Sequence, residues 1–333
     1  MKLAEVFCDN MVLQAGKPVR IFGTGDGEGA ITFLNKTYPV KSADGKFEVM
    51  LDKSEYGGPY ELAALLNGEK TVIKNVFVGE VLLLAGQSNP QWQLMDAEGN
   101  LSVAPKANDK IRIYETTRLE ESDNFNAKDG WVVCKDETLM RWSQMAYYLG
   151  DLINKRLGCA VGVLCAYQGA SNIHTWLPRE RTLEPDLLVS ERNLYTLDIA
   201  RGFYWNFPGT LYAYQFKKIA GYTVSRVIWY QGEGSTYEIP SKMYDKLLKA
   251  LVEVWRKDMK ENLQFVIIEI HDFSECDEPK SWKRVQQAQE RAPEYIKNVR
   301  VIKSADLCEK NTIHPVDKYP LCKRIFETLY ILR

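Results

Sequence analysis

Histidine is scarce in this chain: His174, His271 and His314 are the only three in 333 residues. A serine needs a base before it can act as a nucleophile, and histidine is the usual one, so the search for a hydrolytic base is short. Patterned cysteine is absent. The seven cysteines (8, 134, 159, 165, 276, 308 and 322) are odd in number and scattered, and no CxxC occurs. That excludes a CxxC zinc or redox motif and a dense disulfide framework. All seven read as reduced structural thiols, which favours the cytoplasm. Long apolar runs are missing too: none approaches the ~18 residues of a membrane span. "MKLAEVFCDN" lacks the apolar core of a secretory signal. The expectation is a cytoplasmic protein, or a secreted or periplasmic one whose signal has been removed. Charge of one sign is also lacking. The formal net charge is -1, which gives no electrostatic case for nucleic acid or an anionic membrane as partner.

The residues present describe a soluble globular protein, with 45% apolar and 26% charged side chains. The length suits one large domain, or a large one with a small companion. Residues 1–78 read as all-β. Short apolar or alternating runs such as "PVRIFGTG", "GAITFLN" and "KFEVML" are separated by "GDGEG", "ADG", "YGGP" and "NGEK". A small β-sandwich is the expected domain here. From residue 79 to 333 the pattern alternates strand and helix. Continuous apolar runs at 79–85, 160–166, 226–230, 264–270 and 298–304 suit parallel strands covered on both faces. Trp142, Met145, Ala146, Leu149, Leu152 and Ile153 fall at helical spacing, as do Tyr244, Leu247, Leu248, Leu251, Val252 and Trp255. The fold class is α/β, with a doubly wound parallel sheet and an apolar closing helix over 319–332.

In such a sheet, ligands bind beyond the carboxyl ends of the strands. Small and polar residues collect there: "GQSN" (86–89), "YQGASN" (167–172), "QGEGS" (231–235) and "NTIHPVDK" (311–318). Ser88 has two readings. One is a helix N-cap followed by Pro90 in the first turn. The other is a nucleophile, with free first-turn N–H groups beside it to stabilise an oxyanion. His314 stands out among the three histidines by its place in the final loop, next to a proline. His271 ends the "FVIIEIHDF" run, and His174 follows the second strand.

"GQSN" followed by Trp92, together with "VIWYQGE" (227–233) and "IHPVDK" (313–318), resembles the sialate O-acetylesterases. These are SGNH hydrolases related to carbohydrate esterase family 6. "CDNMVLQAGKPVRIFGTG" (8–25), "GASNIHTW" (169–176) and "WKRVQQAQ" (282–289) extend the resemblance over nearly the whole chain. It implies an SGNH-type (flavodoxin-like) sheet and an O-acetylated carbohydrate as substrate, with no metal or organic cofactor. It implies Ser88 as nucleophile and His314 as base. The oxyanion donors would be the backbone N–H groups of Ser88 and Gly169 and the side-chain amide of Gln231. Four departures are visible. Pro90-Gln91 replaces the usual Met-Glu, "QGEGS" replaces "QGESN", and Ala170 replaces a glycine. The position three residues before the histidine, often an acid, is Asn311. Glu233, Asp306 and Asp317 are the available substitutes for that acid; Glu233 and Asn311 are also candidates for contact with substrate. A sialate substrate calls for a cation, and Arg284 and Arg256 are available. Acetylxylan or another glycan fits the resemblance equally. The competing readings are a catalytically weak glycan-binding module and an SGNH hydrolase of lipids or thioesters.

Overall fold

A computed structural model describes residues 1–119, 130–187 and 202–331. The strand Glu69–Gly86 is its spine. Its first half pairs antiparallel with Gly57–Leu66, and its second half pairs parallel with Val161–Tyr167 on one side and Arg226–Tyr230 on the other. One strand therefore runs from the N-terminal β region into the central sheet, and the expected junction at residues 78 and 79 falls inside it. Alternation explains the change of partner. Up to Asn75 exposed and buried residues mix, whereas every residue from Val76 to Gly86 is buried, as a strand covered on both faces requires.

The central sheet reads, edge to edge, Trp131–Cys134, Asn108–Glu115, Val161–Tyr167, Glu69–Gly86, Arg226–Tyr230, Gln264–Ile268 and Val299–Ile302. All neighbours are parallel except the first pair. The five strands expected from their apolar runs take the order 2-1-3-4-5, which is that of flavodoxin-like sheets. The two strands beyond them, Asn108–Glu115 and Trp131–Cys134, were not expected. "NDKIRIYE" carries charges through a short apolar alternation, and it becomes a strand because a parallel neighbour supplies its ladder.

The N-terminal region has two β layers. Lys2–Leu3, Val19–Thr24 and Lys46–Leu51 form a three-stranded antiparallel sheet. Glu28–Phe33 pairs with Lys36–Lys41 and with Gly57–Leu66, which continues into the spine. In the larger region, helix Gln144–Leu157 packs on Tyr319–Tyr330, and Tyr244–Met259 packs on Pro279–Glu290. Ser143 caps the first of these by accepting the Ala146 N–H at 3.1 Å. The seven cysteines are all unpaired. Among the described residues, no helix is long and apolar enough to cross a membrane.

Two backbone positions shape the end of the spine. Gly86 has φ 144°, and a Cβ there would lie 2.0 Å from the Tyr230 carbonyl oxygen. Only glycine lets the strand stay paired and still turn sharply into the next segment. Ala170 has φ 52°, a left-handed conformation that its Cβ disfavours. Ala170→Gly is expected to raise the unfolding free energy by roughly 0.5–1 kcal/mol. Chemical denaturation would check this, and a loss of stability would show that the alanine methyl has packing worth more than the strain.

Candidate active site

Ser88 begins the short helix Ser88–Gln91 directly after the spine strand. Its hydroxyl lies 2.8 Å from Nε2 of His314. The two residues are 226 positions apart in sequence, and three sets of contacts bring them together. Gln144 is fully buried at the start of its helix. Its backbone N–H donates to the Trp92 carbonyl, its Nε2 to the carbonyls of Gln93 and Val316, and its Oε1 accepts the Lys318 N–H. It thus ties the serine segment to the histidine loop. Asn89 Nδ2 donates to the Ile313 carbonyl at 3.2 Å. On the far side, His271 Nε2 lies 2.8 Å from the Thr312 carbonyl oxygen and supports the same loop from below.

Under Ser88 lies a buried polar chain. Asn89 Nδ2 donates to Glu233 Oε1 at 2.5 Å, and Lys318 Nζ donates to Asn89 Oδ1 at 2.5 Å. Lys318 is only 1% exposed. Burial pushes its ammonium down to about 8, while burial raises the Glu233 carboxyl. Charges of opposite sign are placed at the two ends of one amide, and that arrangement holds Asn89, and hence Ser88, in register.

His314 has an environment unlike that of a triad histidine. No carboxylate accepts from its Nδ1 among the described residues. Asn311 is exposed and makes no bond to the ring. Asp306 is paired with Arg324 through both oxygens, at 2.5 and 2.6 Å. Asp317 accepts the N–H groups of Ser102 and Tyr319. Glu233 is engaged by Asn89. Each expected substitute for the acid is therefore occupied elsewhere. Instead the His314 ring lies on the face of Trp92, centroids 4.5 Å apart and planes 22° from parallel. Burial, with the nearby Lys318 ammonium adding to it, pushes the imidazole down to about 4.

The three expected oxyanion donors have different fates. The Ser88 N–H sits in the first turn of its helix, where no intrahelical acceptor exists. The Gly169 N–H donates to Gln91 Oε1 at 2.8 Å. The Gln231 amide is fully buried, and its nitrogen donates to the Ser171 carbonyl and to Ser235 Oγ, both at 3.0 Å. Its Oε1 accepts from Tyr244. Both hydrogens of Gln231 are taken by the protein, so in this structure it serves as a strut between the second and third blocks rather than as a free donor. The reason is general: a buried carboxamide pairs every polar atom it can. Gln87 is a similar strut, its Oε1 accepting the N–H groups of Gly232 and Gly234.

Of the cations expected for a sialate, Arg256 bonds the carbonyls of Leu263, Lys297 and Asn298 and is structural. Arg284 lines a cavity of about 280 Å³ with Ser241, Lys242 and Asp245, apart from Ser88 and His314. His174 is buried with both ring nitrogens unpartnered, and burial holds it down at about 4. Reading the sequence missed Gln144, Lys318 and the stacking role of Trp92. The four-residue step from His314 to Lys318, inside "HPVDK", was the one local hint.

Residues 78–318 match the family described as carbohydrate esterase, sialic acid-specific acetylesterase. The chain belongs to that family. Membership makes it an esterase whose substrates are acetylated carbohydrates. It is similar to the sialate O-acetylesterase of Homo sapiens, at 24% identity over 97% of this chain and 69% of that protein. It is likewise similar to that of Rattus norvegicus, at 22% identity over 96% of this chain and 71% of that one. Its fold matches the crystal structure of a carbohydrate acetylesterase from Xanthomonas citri with a TM-score of 0.80 and 21% identity, covering 99% of this chain and 75% of that one.

Proposed function

We propose that the chain is an SGNH-type hydrolase that removes O-acetyl groups from a sialic acid, with Ser88 as nucleophile and His314 as its only base. The observation that carries the reading is the 2.8 Å contact between Ser88 Oγ and His314 Nε2 at the end of the central strand. His314 takes the hydroxyl proton as Ser88 attacks the acetyl carbonyl. The resulting imidazolium then protonates the departing sugar alcohol, and a water repeats the cycle on the acetyl-serine. The Ser88 and Gly169 N–H groups receive the oxyanion, which displaces the Gln91 side chain from the second of them. Removing one such donor typically costs about 3 kcal/mol of transition-state stabilisation.

The acid of a triad has two tasks: it orients the imidazole and stabilises the imidazolium. Trp92 takes both. Its indole face fixes the ring plane and attracts the positive charge as it forms. Trp92→Leu is expected to lower kcat about tenfold with little change in KM, and Trp92→Phe to recover part of the loss. Steady-state kinetics with a chromogenic acetate ester would show this. Equal kcat in all three proteins would remove Trp92 from the mechanism.

The pH dependence follows from the depressed imidazole. A base must be neutral, and His314 stays neutral down to about pH 4 rather than to the ordinary histidine range. The acid limb of kcat/KM is therefore expected near pH 4, with little loss between pH 7 and 5. An acid limb at the ordinary histidine value would contradict the buried, cation-flanked setting.

Acetate release from a 9-O-acetylated sialic acid, an acetylated xylo-oligosaccharide and a chromogenic acetate ester tests the substrate. Preference for the sialic acid supports the reading. Preference for the xylo-oligosaccharide would replace the sugar, and no release from any would favour a glycan-binding module.

A further inference from the structure

A second site lies at the opposite end of the sheet from Ser88. Arg112 pairs with Gly162, which pairs with Val81 of the spine strand. Ser88 is seven residues further along, roughly 23 Å at the rise of an extended strand. Arg112 is 2% exposed, and its Nε and Nη1 are buried with no hydrogen-bond partner. Burying a guanidinium without an acceptor is costly, and such a group needs an explanation. The face of Phe77 offers partial compensation, with the guanidinium carbon 4.1 Å from the ring centroid and Lys110 Nζ at 4.4 Å. Neither contact supplies an acceptor.

Arg112 lines a cavity of about 540 Å³ where the N-terminal β region meets the central sheet. Lys110 and Lys135 line it too, and Asp109 is the one carboxylate among its lining residues, giving three cations to one anion. Asn75 and Asn10 add polar atoms. Asn75 Nδ2 donates to Asn10 Oδ1, and Asn10 Nδ2 to the Trp131 carbonyl, which leaves Asn75 Oδ1 able to accept from a ligand. The cavity thus combines an unpaired fork of N–H donors, two ammonium groups and an amide acceptor. A guanidinium fork matches an oxyanion, and the amide oxygen matches a hydroxyl.

We propose that this cavity binds a small hydroxylated molecule bearing a carboxylate or phosphate, held by Arg112 and Lys110 and independent of Ser88. The test is isothermal titration of the full chain with glucuronate, N-acetylneuraminate and inorganic phosphate, and with glucose as the neutral control. Saturable millimolar or tighter binding of at least one anion, without glucose binding, is expected, and the preferred anion identifies the group. Arg112→Met should weaken it about tenfold or more, as loss of a charged hydrogen bond does. Lys110→Gln, at the half-exposed rim, should weaken it several-fold and serves if the buried variant fails to fold. Acetate release by Lys110→Gln should match the parent. No saturable binding by any of the anions, or binding unchanged in Lys110→Gln and in a folded Arg112→Met, would overturn the site.

Discussion

Ser88→Ala is expected to lower acetate release by about 10⁴-fold or more while leaving the fold intact. Ser88 is half-exposed, and its hydroxyl has His314 as its partner. Removing it opens no cavity in the core and leaves Asn89, Glu233 and Lys318 joined. The near-ultraviolet circular dichroism and melting temperature should therefore match those of the parent. Any activity left would come from the oxyanion donors acting on an attacking water. Activity within about tenfold of the parent would mean that another nucleophile does the chemistry.

Lys318→Met carries the largest expected effect on stability, a loss of about 3–5 kcal/mol. The methionine fills much of the space of the lysine stem but leaves Glu233 and Asn89 Oδ1 without their cation in a buried site. Removing one member of a buried charged set leaves the others uncompensated. The same variant separates two roles. After burial, the Lys318 ammonium is the next cause that pushes His314 down, so the acid limb of the pH–rate profile should move upward. A variant that merely loosened the fold would lower activity at every pH without moving the limb. Denaturant melts and pH–rate profiles of parent and variant would show both. A loss of less than about 1 kcal/mol would mean that Glu233 is protonated and that the chain Glu233–Asn89–Lys318 is effectively neutral.

The parallel core was legible because it had to be. Strands covered on both faces can carry little but apolar side chains, and the runs at 79–85, 160–166, 226–230 and 264–270 show it, whereas 298–304 forms the half-exposed edge strand. Strand ends were legible because small and polar residues collect where the apolar runs stop, although two of them, Gln87 and Gln231, are buried struts. Ser88 and His314 were drawn from that pattern and from the family's motifs, and the structure brings them to hydrogen-bond distance. Asn108–Glu115 escaped because an edge-side strand with charged residues looks like a loop until its partner is known. Gln144 escaped for a different reason. Its use depends on four backbone groups from two remote loops, and none of them leaves a local trace. Gln231 shows the reverse. Its motif implied an oxyanion donor, but the amide is engaged by Ser171 and Ser235, groups that no spacing rule connects to it.

Trp92 and the absent acid belong together. A carboxylate in the place of Asn311 would be exposed at the loop surface, where solvent weakens its hold on the ring. The indole stacks directly on the imidazole. The arrangement trades basicity for a base that remains neutral in acid, because burial disfavours the imidazolium and Lys318, which steadies Asn89, adds to it.

Whether Ser88 is the nucleophile is tested directly by quenching a reaction with the acetyl substrate early and mapping the peptides by mass spectrometry. A single acetyl group on the Ser88 hydroxyl is expected, appearing with substrate, lost on longer incubation and absent from Ser88→Ala. An acetyl group on any other residue that forms and decays with turnover, while Ser88 stays unmodified, would contradict it.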